Sequence, residues 1–154
     1  MKQRLLTILM TVALCVICIL NLGFESNAEE VGQDISYSEL MTENALVGCA
    51  ENITRGVYLL DGHSIINKIS STKIGAGGVT NAAVKCKVST NAIVERLLNG
   101  SWARVTSWTT TVDSGYSASV SKSLTVTTGY YYRVRCIHYA STDRSRSFTS
   151  NLWM

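Results

Sequence analysis

The sequence predicts an all-β fold, and three observations carry that expectation. From residue 56 onward apolar and polar residues alternate with period two over several short runs. Asn99-Gly100, set between two such runs, is the dipeptide a tight hairpin needs. Serine, threonine, valine, tyrosine and glycine dominate this part of the chain, and proline is absent. About seven short strands separated by turns read as an antiparallel β-sandwich, immunoglobulin- or fibronectin-like in arrangement, over residues 56–154.

Residues 57–60 form a short first strand that ends at an Asp61-Gly62 turn, and residues 65–69 form the next. Residues 72–80 contain Gly75, Gly77 and Gly78 and read as a bulged strand or a loop. In residues 84–98, Val84, Cys86 and Val88 share one face, Lys85, Lys87 and Ser89 the other, with a bend expected near residues 89–91. After the Asn99-Gly100 turn the return strand carries Trp102, Val105 and Trp108. In residues 116–126, Ala118, Val120, Leu124 and Val126 point inward, with Lys122 as the exception. In residues 130–140, Tyr130, Tyr132, Val134, Cys136 and His138 share the inward face, and Arg133 and Arg135 point the other way. A tyrosine at the position of Tyr132, just after a turn, pins a chain corner in sandwiches of this kind. A last strand spans residues 145–152.

The preceding residues divide in two. Lys2 and Arg4 open a run that is apolar from Leu5 to Leu20, and Ser26 and Ala28 stand at the −3 and −1 positions before Glu29. Residues 1–28 read as a secretory signal peptide, which predicts a secreted, extracellular or surface-associated protein. The run is short for a membrane span, although an uncleaved anchor is the competing reading. Residues 29–55 read as a separate acidic leader: residues 29–51 hold six acidic residues and no Lys or Arg, with a short capped helix expected from Ser38. From residue 52 to the end there are 12 basic and 4 acidic residues.

That asymmetry makes the most specific functional suggestion. Lys85 and Lys87 on one strand, Arg133 and Arg135 on another, and Arg144 and Arg146 nearby would form one cationic stripe if the strands are neighbours. Like charges facing each other across strands destabilise a sheet, so the stripe calls for a counter-charge. The expected partner is an anionic cell-surface polymer or a protein, or the acidic leader itself docked on the basic face. Tyr131 and Tyr139 share the outward face and are candidates for an exposed aromatic contact.

Catalysis finds little support. His63 and His138 are the only histidines, and no nucleophile elbow, zinc-peptidase or phosphate-loop motif accompanies them. No catalytic residue, metal ligand or small-molecule cofactor is therefore expected. Loss of the signal would remove Cys15 and Cys18 and leave Cys49, Cys86 and Cys136. Cys86 and Cys136, each among inward-facing apolar residues, are the expected disulfide, with buried free thiols as the alternative and Cys49 left over.

Residues 93–102 (IVERLLNGSW), 105–108 (VTSW) and 129–135 (GYYYRVR) resemble a family of small secreted proteins of Gram-positive, spore-forming bacteria known only as a domain of unknown function. The likeness covers roughly residues 55–140. It implies a fold and a secreted setting and brings no catalytic residues. The function expected is thus a secreted, non-enzymatic binding module. A secreted antagonistic or membrane-active factor, or a structural matrix component, are the alternatives.

Overall fold

The computed structural model describes residues 32–51 and 56–154; the segment read as a signal peptide lies outside them. In chain order the elements are β1 (Gln33–Asp34), α1 (Tyr37–Leu40), β2 (Leu46–Cys49), β3 (Leu59–Lys68), β4 (Lys73–Leu98), β5 (Ser101–Thr125), β6 (Tyr131–Ala140), β7 (Asp143–Phe148) and β8 (Leu152–Trp153). All pair antiparallel in one eight-stranded sheet. The helix among the described residues is too short to cross a membrane.

Two very long strands organise the molecule. β4 and β5 meet at Asn99 and Gly100, whose φ angles of 49° and 79° are the paired positive values of a type I′ turn. The register of this hairpin slips between Asn81 and Cys86 and again between Cys86 and Val88. There the ribbon folds over itself. Thr80 and Thr90, ten positions apart on β4, touch at 2.6 Å between hydroxyl oxygens; an extended strand would hold them about 33 Å apart. One leaf is then β2, β3, the first half of β4, the second half of β5, and β1. The other is β7 and β8 on β6, the second half of β4 and the first half of β5.

The core lies between these leaves. Ile66, Ile74, Ala76 and Leu124 from the first meet Ala92, Val94, Tyr132, Val134 and Cys136 from the second. Of the inward sets predicted on β5 and β6, Ala118, Val120, Leu124, Val126, Tyr132, Val134, Cys136 and His138 are buried, while Tyr130, just ahead of β6, is only partly so. The Tyr132 hydroxyl donates to the Thr127 carbonyl at 2.8 Å, tying down the chain just before β6 as a corner tyrosine does.

Several local expectations change, each for a steric reason. The chain does not turn at Asp61-Gly62; β3 continues through it, with a shift of register against β4 between Leu59 and Asp61. Gly62 is there because a Cβ would come within 2.5 Å of the His138 ring. Gly75, Gly77 and Gly78 lie inside β4 as a strand. A side chain on Gly77 would collide with Leu40 and Val120, and one on Gly78 with Cys136. The ribbon bends over residues 82–87 rather than 89–91, which leaves Val84 exposed instead of inward.

Residues 32–51 are built into the sheet rather than standing apart. Ser36 and Glu39 form a reciprocal capping box on α1. The Glu39 carboxyl is held below its ordinary pKa by hydrogen bonds from Ser36. Leu40 is fully buried, and burial of a leucine contributes about 1.5–3 kcal/mol. Asp34 pairs with Lys122 at 2.8 Å.

The expected disulfide is absent: Cys86 and Cys136 are both free thiols. Cys136 sits opposite Ala92 on β4, six positions from Cys86, a separation on the order of 15–20 Å along a bent strand. A bridge requires Cα atoms within about 7 Å. Both cysteines face inward, yet they serve different clusters of the core.

Candidate anion-binding face

The outer surface of the second leaf carries most of the predicted cations. β6 lies between β4 and β7, with Arg133 opposite Glu95, Arg135 opposite Ile93 and Phe148, and Tyr139 opposite Arg144. Because side chains alternate, Tyr131, Arg133, Arg135 and Tyr139 all stand on the face away from the core. The strands of Lys85 and Arg133 are neighbours, as the single stripe required. Their register defeats it. Lys85 and Lys87 sit where β4 folds, far from Arg133 and Arg135. They lie beside the Arg144 end of the face, since Lys87 O accepts from Ser141 N and Ser89 lies opposite Tyr139, itself opposite Arg144. Lys87 is paired with Asp113 at 3.2 Å, both exposed.

The counter-charge between the arginines is Glu95. Its carboxylate accepts from Arg133 Nε at 2.7 Å and Arg135 Nε at 2.8 Å, and the residue is only 5% exposed. A buried carboxylate requires such partners, and charge-assisted bonds are the stronger kind. Arg133 is further clamped between two rings, 4.3 Å above Trp102 and 4.9 Å from Phe148. It is thus a structural cation. The acidic segment meets positively charged residues at two places: Asp34 pairs with Lys122, and Glu51 forms a backbone bridge to Arg146.

Arg135, Arg144 and Arg146 remain. They line one groove of about 480 Å³ over β6 and β7, with Ile137, Phe148 and Ser145 between them and Glu51 at its side. Arg144 lies 5.3 Å above the Tyr139 ring, which orients its guanidinium. Among the described residues neither Arg144 nor Arg146 has a carboxylate within ion-pair distance. Tyr131 stays half exposed, edge-on to Trp153 with centroids 4.8 Å apart.

The two histidines sit in different surroundings. His138 is fully buried; Nδ1 lies 2.8 Å from Thr80 Oγ1 and Nε2 lies 2.8 Å from Ser147 Oγ. Thr90 donates to the Ala118 carbonyl, and the Thr80 hydroxyl proton is directed at Ser89 O and Thr90 Oγ1, so Thr80 accepts the Nδ1 proton, leaving Nε2 to accept from Ser147. Burial lowers the His138 pKa to about 4. His63 stands 3.6 Å from Asp61. Among the described residues no three His, Cys, Asp or Glu side chains gather as a metal site would require.

A family model described as a family of unknown function (DUF6147) matches residues 26–151. The chain belongs to this family. The matched span runs from the acidic residues ahead of β3 through β7. No curated protein and no solved structure matches the chain.

Proposed function

We propose that this DUF6147 protein is a secreted, non-enzymatic module of a Gram-positive bacterium that binds an anionic cell-surface polymer through Arg135, Arg144 and Arg146. The signal-like residues 1–28 and the basic balance after residue 52 support the setting. One observation carries the ligand class: three guanidiniums surround a single groove, two of them with no carboxylate partner among the described residues. Exposed cations are individually weak and screened by salt. A polymer with repeated negative charges engages several at once, and the apolar floor of Ile137 and Phe148 leaves room for its backbone.

The test is retention on a heparin column and on immobilised polyphosphate. The wild-type chain elutes at raised salt, and Arg144→Glu with Arg146→Glu elutes earlier, near the column void. Lys68→Glu, exposed at the end of β3 on the other leaf, leaves elution close to the wild type. Elution of the arginine variant with the wild type, or a wild type that is not retained, overturns the assignment.

A further inference from the structure

Cys49 on β2, with His63 and Asp61 on β3, stand together on the outer surface of the first leaf. Cys49 lies directly opposite His63. The adjacent pair, Ala50 and Gly62, is hydrogen-bonded through Ala50 N on Gly62 O at 2.7 Å, so Cys49 and His63 form a non-hydrogen-bonded pair. Such pairs are the closer kind, with Cβ atoms about 4.5–5.5 Å apart on one face. That face is the outer one, because Gly62 is turned inward against the His138 ring and its neighbours alternate with it.

The His63 ring is held from its far end. Nε2 lies 3.6 Å from Asp61 Oδ1, and Asn81 Nδ2 donates to the same oxygen at 2.7 Å, fixing the carboxylate. A carboxylate there favours the proton on Nε2, which leaves the lone pair on Nδ1. Nδ1 is buried and has no hydrogen-bond partner, an orphaned acceptor of the kind that native structures rarely keep. The exposed, free thiol of Cys49, able to turn about its Cα–Cβ bond, is the donor on the facing strand. Among the described residues these three groups do not converge on a point as metal ligands do. They form a row from thiol to imidazole to carboxylate, along which a proton can move.

We infer that Cys49 is a thiol–disulfide exchange site for a low-molecular-weight disulfide, with His63 as its proton acceptor and Asp61 positioning the ring. The Cys49 thiol passes its proton to Nδ1, and the thiolate attacks one sulfur of the disulfide. That S–S bond breaks as the new one to Cys49 forms. The departing sulfur leaves with the electron pair and takes the proton back from His63. One disulfide is consumed and one mixed disulfide is made, so the exchange needs no further oxidant. Few other charges face the pair. β4 presents Val79 opposite His63 and Asn81 opposite Asp61, and His138 of β6 lies on the inner side of the sheet as a neutral ring. Glu51, two positions after Cys49, bonds through its amide to the Arg146 carbonyl of β7. Glu39 of α1 is engaged by Ser36, beside Asn67 farther along β3.

The test follows the full chain in cystine solution, with mass spectrometry of its peptides reading the half-cystine adduct on Cys49. The adduct forms about tenfold or more faster in the native chain than in the chain unfolded in denaturant, where His63 no longer stands beside the thiol. His63→Gln, at a partly exposed position, slows the native reaction by a similar factor. It also removes the imidazole limb from the pH–rate profile and leaves that of the thiol alone, while circular dichroism shows the variant folded. Asp61→Asn slows the reaction less and keeps that limb. If His63→Gln does not fold, the wild-type profile decides: two limbs in the native chain and one in denaturant sustain the exchange site. A Cys49 that reacts no faster folded than unfolded overturns the inference. So does a native profile with one limb, or one that His63→Gln leaves unchanged.

Discussion

Thr80 Oγ1 lies 2.8 Å from Nδ1 of His138 inside the fold, joining the first half of β4 to β6 across the two leaves. The imidazole is neutral there, with a pKa lowered to about 4 chiefly by burial. In the unfolded chain it titrates near its ordinary 6.5. As pH falls, the unfolded chain takes up this proton first. Stability from the group is full above about pH 6.5 and drains away down to about pH 4, a loss of roughly 3 kcal/mol. Denaturant midpoints measured from pH 7 to 4 should show this slope. His138→Phe should flatten it and lower stability at pH 7 by about 2–4 kcal/mol, because Thr80 and Ser147 lose a buried partner. An equal slope in both proteins would place the titration elsewhere. Glu39, whose pKa is lowered from 4.5 by hydrogen bonds from Ser36, keeps its contribution throughout this range above about pH 4.5 and loses it only in more acid solution.

Glu95 holds Arg133 and Arg135 together, so its removal has two effects of opposite sign. Glu95→Ala strips a buried carboxylate from two guanidiniums that are themselves less than a third exposed. A loss of about 2–4 kcal/mol in stability is expected, a little under that of a fully buried pair. The same variant should bind heparin at least as tightly as the wild type, since it adds one net positive charge to the proposed face. A less stable protein that elutes earlier would mean that the groove depends on Glu95 for its shape.

What the sequence revealed and what it concealed divide along a physical line. Alternation over residues 130–140 placed Tyr132, Val134, Cys136 and His138 inward and both arginines outward, because period two follows from a single strand's pleat. Asn99-Gly100 announced its turn through local backbone sterics. Other features depend on pairing between distant strands. Glu95 looked like one of four scattered acids until register set it beside Arg133. Gly62 looked like a turn until the His138 ring lay over it. The disulfide failed similarly: two inward cysteines said nothing of their separation along a bent β4. The three arginines of the groove were visible as residue types, while the parting of Arg133 and Arg135 from Lys85 and Lys87 required the register.

Leu40 tests whether the acidic segment belongs to the folding unit. It is fully buried against the glycine-lined stretch of β4, and Asn67 Nδ2 bonds to the Glu39 carbonyl at 2.8 Å beside it. Leu40→Ala should lower stability by about 2–4 kcal/mol, as expected for a leucine truncated in a tight site. Urea unfolding followed by both circular dichroism and tryptophan fluorescence should remain a single transition. A change below about 0.5 kcal/mol would mean that residues 37–40 rest on the sheet without stabilising it.

The three cysteines should differ sharply in reactivity. Cys49 is exposed, Cys86 half-buried and Cys136 fully buried. Burial pushes the Cys136 thiol well above its ordinary pKa, and its Sγ donates to the Gly77 carbonyl at 3.5 Å. The thiolate is the reacting form, so a buried thiol is inert until the leaves separate. Mass spectrometry after brief maleimide treatment of native protein should show modification at Cys49 first, Cys86 more slowly and Cys136 not at all. All three should react in denaturant. Because Cys86 and Cys136 are unbridged, a reducing agent should leave the melting temperature unchanged. A fall of about 5 °C or more on reduction would instead indicate a bridge, since a native disulfide contributes about 2–4 kcal/mol and each kcal/mol moves a domain of this size by several degrees.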